Sequence, residues 1–151
     1  MKKQISLVIA AALVASVPLA SYAQFRKAED AIKYRKSALT VMATHFGIIG
    51  AVVKGEKPYV AAEVAAAAKV VDDMAPLPWM GFTPGTETGD TKAKPEIWSQ
   101  PDKFKEAQLA LTKATAELSA AAKSGNEGAV KTAFAAVGSA CKGCHDNFRS
   151  K

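Results

Sequence analysis

Near the C-terminus, Cys141-Lys142-Gly143-Cys144-His145 sets two thiols and an imidazole within five residues. This C-x-x-C-H spacing is that of covalent haem c attachment. Residues three apart share a helix face, so both thiols can meet the two vinyl groups on one side of a porphyrin. His145 then reaches under the ring to the iron, and Gly143 keeps a side chain away from the macrocycle edge. Other uses fit less well. A thioredoxin-like C-x-x-C belongs to an early βαβ unit, whereas Cys144 lies seven residues from the end of a chain without strand-like alternation. A zinc site needs four ligands, and His45 is the only other His or Cys. A disulfide between two such close cysteines would constrain almost nothing in the unfolded chain.

A haem so anchored needs apolar walls and a partner for its propionates. Arg35 lies four residues before Leu39, inside an apolar stripe. A guanidinium on a buried face requires an anionic partner, and no acid shares that face nearby. A haem propionate is the natural candidate, and the rival is a surface Arg paired with Glu29 or Asp30.

Four helical segments are expected to position these groups. The first spans residues 29–53, with Leu39, Met42, Phe46, Ile49 and Val53 on one face. The second opens at Pro58 and runs to Met74, with Val60, Val64, Ala67, Val71 and Met74 inward. Residues 75–100 form a connector with four prolines, three glycines and the aromatics Trp79, Phe82 and Trp98. A connector that long is ordered for a reason, and its aromatics suggest that it is pinned to the bundle. The third helix opens at Ser99, with Asp102 completing an approximate capping box, and stops at Ser124-Gly125. Asn126 caps the fourth, where Val130, Phe134, Val137, Cys141, Cys144 and Phe148 share a face. Short outer connections and a long middle one predict an all-α antiparallel four-helix bundle.

The N-terminus addresses the chain. Lys2 and Lys3 precede an apolar run to Leu19, and Ser21-Tyr22-Ala23 is a small-x-small cleavage site, the pattern of a secretory signal peptide. The run is short for a membrane anchor and Pro18 breaks it, so cleavage after Ala23 is expected. Removing 23 of 151 residues leaves 128, one haem domain over residues 24–151. No second apolar run is expected to span a bilayer. The mature chain then carries 18 Lys and Arg against 14 Asp and Glu. This mild, scattered excess can steer acidic partners but has no nucleic-acid signature.

With these residues assembled, the chain resembles cytochrome c′, the high-spin class II c-type cytochromes. The likeness rests on the C-terminal haem motif, on Tyr34-Arg35-Lys36-Ser37-Ala38-Leu39, and on Pro76-Leu77-Pro78-Trp79, Pro84-Gly85-Thr86-Glu87 and Pro95-Glu96-Ile97-Trp98. The resemblance implies a five-coordinate iron on His145 with Leu39 over the distal face. It also places Arg149 beside the proximal His and Trp79 and Phe82 near the haem pocket. Arg149 has a plainer alternative as a cation at a helix C-terminus. His45 falls off the stripe, six residues past Leu39.

The resemblance further implies a periplasmic haem protein, not an enzyme, that binds nitric oxide and carbon monoxide and exchanges electrons with an unidentified redox partner. A hydrocarbon distal face offers bound dioxygen no hydrogen bond. The family's habit of pairing through the first two helices implies a homodimer. The rival is a low-spin electron carrier with Met42 as sixth ligand; a peroxidase would need polar distal groups to move protons, and Leu39 cannot supply them.

Overall fold

The computed structural model describes residues 24–151; the expected signal peptide, residues 1–23, lies outside the described residues. Four long helices carry the fold: α1 (Ala28–Val53), α2 (Ala61–Met74), α4 (Pro101–Lys123) and α5 (Glu127–Phe148). A 3₁₀ turn at Pro78–Gly81 and the one-turn α3 (Glu96–Ser99) lie in the connector. Helix α1 packs along α2, α2 against α4, and α4 along α5, which closes an all-α four-helix bundle.

The expected stripe of α1 faces inward. Met42 and Ile49 are buried, and Leu39, Phe46 and Val53 are half-buried. Glu29 and Asp30 occupy the first turn, where the helix dipole favours acids. Phe46 stacks on Phe134 of α5 with ring centroids 4.2 Å apart and planes 10° from parallel, a contact worth about 0.5–1.5 kcal/mol beyond its buried area. Contrary to the expectation that no second segment could span a bilayer, α1 is long and apolar enough by length and composition. Here it forms one wall of the bundle, with Arg35 buried in its first half.

Two helix starts differ from those expected. Pro58 does not open α2, because the N–H groups of Glu56 and Lys57 both donate to Ala51 O, at 2.9 and 3.2 Å. The loop thus caps α1, Val60 stays extended at φ −111° and ψ 104°, and the helix begins at Ala61. Val60, expected inward, is 41% exposed. Ser99 likewise ends α3 instead of opening a long helix. Gln100 breaks the run at φ −128° and ψ 59°, and Pro101 opens α4, where its missing N–H goes unneeded. The Ser99–Asp102 cap is not formed. The fourth start is the one expected: Ala129 N donates to Asn126 Oδ1 at 2.9 Å.

The bundle holds two apolar clusters. The larger joins Met42, Ile49, Val71, Leu111, Leu118 and Val137 along the axis. The smaller, Ile97, Phe104 and Phe148, lies where the connector meets α4 and α5. The alanines of α2 let it approach closely, and Ala68, Val71 and Ala75 are wholly buried.

The connector is seated on α1 through Gly81. A Cβ there would lie 2.7 Å from Ala31 O and 2.8 Å from Arg35 Cβ, too close for either to yield. Gly81→Ala is therefore expected to lower unfolding stability by about 1–3 kcal/mol, as overpacking does. A denaturant midpoint equal to that of the parent protein would show that the turn can shift away.

Candidate haem site

Helix α5 carries the attachment groups. Cys141 and Cys144 are both free and half-buried, and His145 one residue on is exposed. Burial pushes both thiols up, Cys144 to about 11 with a further contribution from Cys141 beside it. Burial also lowers the His145 imidazole, as does the cation of Arg149, while Asp146 opposes them. A Cβ on Gly143 would meet no protein atom within 4 Å, so nothing in the polypeptide requires glycine there.

The thiols sit at the seam of the two clusters. Cys141 and Leu39 each pack against the larger cluster, and Cys144 and Phe82 each against the smaller. Trp79 touches both. An open groove is lined by Trp79, Phe82, Trp98 and Phe104, and another runs past Gly143, Cys144 and Phe148.

Arg35 is 2% exposed, as a cation inside the stripe must be. Its surroundings differ from those expected. Nη1 donates to Gly81 O at 2.8 Å and to Thr86 Oγ1 at 2.7 Å. Nη2 donates to Thr86 O and Thr91 Oγ1, both at 2.8 Å. The guanidinium also lies 4.4 Å from the Phe82 ring centroid and 5.8 Å from that of Trp98. Neutral oxygens and aromatic faces thus receive the charge at both terminal nitrogens; burial still pushes the guanidinium below its ordinary value, and the Glu87 carboxylate opposes that shift.

The acceptors of Arg35 carry no signal in the sequence. Gly81, Thr86 and Thr91 lie 46 to 56 residues away from it, and no periodicity marks them. Thr86 alone sits in a patterned stretch, Pro84-Gly85-Thr86-Glu87, where it reads as a turn residue. The partners of Phe82 were equally hidden: its ring meets Phe104 at 5.1 Å and Trp98 at 6.4 Å.

Leu39 follows Arg35 by one turn and is half-buried, while Met42 is 6% exposed within the larger cluster. His45 Nδ1 donates to Val41 O at 2.9 Å on the flank of α1, and the residue joins neither cluster. Arg149 terminates α5 in extended backbone, its N–H on His145 O at 3.1 Å.

These residues fit a covalently held haem. Two free thiols face one seam from one helix, and the indole Nε1 of Trp79 is buried without a hydrogen-bond partner. A buried N–H is seldom left unpaired, and a propionate oxygen is an acceptor of the right kind.

Comparison with known proteins agrees. The pattern of the family described as Cytochrome C' matches residues 30–149. Cytochrome c' of Alcaligenes xylosoxydans xylosoxydans is 51% identical over 128 residues, covering 85% of this chain and 99% of that protein. The crystal structure of cytochrome c' from Rubrivivax gelatinosus superposes with a TM-score of 0.82 at 42% identity, covering 84% of this chain and all of that one. Variants of the Alcaligenes xylosoxidans protein, 48% identical with TM-scores of 0.80, have been solved with nitric oxide and with carbon monoxide bound. The chain belongs to the cytochrome c′ family, and its cofactor is haem c.

Proposed function

We propose that this chain is an exported, periplasmic gas-binding haem protein, with His145 on one face of the iron and Leu39 screening the other. The bound haem supplies an iron that takes a diatomic gas or exchanges one electron. The carrying observation is the placement of Leu39, which packs on the same cluster as Cys141 and has no atom able to ligate a metal. A gas on that face must move the Leu39 side chain aside. Hydrocarbon admits neutral nitric oxide and carbon monoxide and offers no hydrogen bond to bound dioxygen. Relatives solved with those two gases support the same reading. Met42, the rival ligand, is enclosed in the core among Val71 and Leu111.

On this reading Cys141 and Cys144 carry the two thioether links, and Arg149 sits beside the proximal imidazole. Trp79 and Phe82 wall the pocket; Arg35, whose Nη atoms are held by the connector, offers a propionate its charge, and Trp79 Nε1 an unpartnered donor. The protein is a binder that can pass electrons to a redox partner. Helix α1 carries no charge between Lys36 and Lys54 and exposes Val41 and Ile48, and Val60 is exposed before α2. These residues suit pairing with a second copy.

Intact mass and absorption spectra of the purified protein test the assignment. The expected result is residues 24–151 plus one haem, with broad high-spin bands and a carbon monoxide adduct on reduction. Sharp reduced bands with a weak far-red ferric band would replace this reading with Met42 ligation.

A further inference from the structure

The C-terminal tail is tied to the connector by a short antiparallel pairing. Ala93 and Arg149 form a β-bridge. Lys94 N donates to Phe148 O at 3.0 Å on one side, and Ser150 N donates to Lys92 O at 2.8 Å on the other. The Ser150 hydroxyl adds a second contact to Lys92 O at 3.1 Å. An extended pairing of this kind is the one strand-like feature among the described residues, and it falls one turn beyond His145. The connector side is itself anchored: Ala93 N donates to Thr91 Oγ1 at 3.0 Å, and that oxygen also accepts from Arg35. A terminal helix ordinarily frays over its last turn. Here its end is fixed by main-chain bonds from a segment more than 50 residues away.

We propose that this pairing is a clip that positions Arg149 beside the proximal His145, and that Ser150 is its positioning residue. The inference rests on the reading that Arg149 acts on the iron through its nearness to His145. The Arg149 side chain is exposed, so the two rungs hold its backbone: without them Arg149 would belong to a free tail with no fixed position relative to His145. With them, its backbone is held extended at φ −127° and ψ 129°, and its N–H stays on His145 O. A cation fixed there disfavours the more positive ferric state and so raises the reduction potential.

Ser150→Pro tests this directly. Proline removes both Ser150 contacts, and the extended backbone of Arg149 already suits the residue before a proline. Lys94→Pro removes the donor of the other rung and makes an independent second variant. In the haem-loaded protein, both are expected to lose amide-exchange protection at Arg149. Both should lower the midpoint potential in the same direction as Arg149→Ala. Adding Ser150→Pro to Arg149→Ala should shift it no further. A potential equal to that of the parent protein in both proline variants, with protection lost, would overturn the clip while Arg149→Ala still shifted. No shift in Arg149→Ala would overturn the underlying reading, and the clip with it.

Discussion

Leu39→Ala should bind carbon monoxide about ten- to a hundred-fold more tightly in the ferrous protein than the parent chain does, and faster. Leu39 is half-buried and packs on the larger cluster, as Cys141 does. A gas that takes the distal position must displace a side chain whose packing, judged from Leu→Ala changes in cores, is worth about 2–5 kcal/mol. Partial exposure reduces that, and about 1.4 kcal/mol corresponds to a factor of ten in affinity. Alanine leaves the space open, so the displacement cost disappears from both the rate and the equilibrium. Flash photolysis and carbon monoxide titration measure the two quantities. Parent-like kinetics in the variant would place Leu39 away from the gas path.

Arg35→Leu should destabilise the haem-loaded protein by about 3–5 kcal/mol, a large share of a domain's usual 5–15 kcal/mol. Four oxygens of the connector receive its terminal nitrogens, and three of these contacts are buried. Leucine fills part of the volume but leaves Gly81 O, Thr86 O and two hydroxyls without their donor. Each unsatisfied buried acceptor costs about 1–3 kcal/mol before local relaxation. Arg35→Lys keeps the charge but cannot fork to four acceptors, so it should recover less than half of the loss. Urea unfolding of the two variants checks the ranking, and amide exchange at Thr86 and Thr91 should rise in both. A loss below about 1 kcal/mol for Arg35→Leu would mean that water replaces the guanidinium as donor cheaply.

The same residue shows why some of the site was legible and some was not. That Arg35 would be buried followed from its place four residues before Leu39 in a 3-4 pattern, because helix periodicity is local. Where its charge would go did not follow. Its acceptors come from a connector without period, folded back over 46 to 56 residues. The reading of an obligatory anion rested on the cost of burying a lone charge, and four neutral oxygens with two aromatic faces meet most of that cost. Pro58 and Ser99 misled for a related reason. Both are good start signals, and in each case the neighbouring chain supplied a competing geometry, the Ala51 cap in one and the Gln100–Pro101 break in the other.

The sequence alone determined the cofactor chemistry, the four-helix pattern and the buried faces of α1 and α5, since five adjacent residues and a repeat of 3.6 are properties of a short stretch of chain. Only the tertiary structure decided how Arg35 is paired, which rings line the seam, and that the tail beyond His145 is pinned to residues 92–94. Those contacts join segments far apart in the chain, and no local pattern encodes which distant backbone carbonyl will arrive to accept a given N–H.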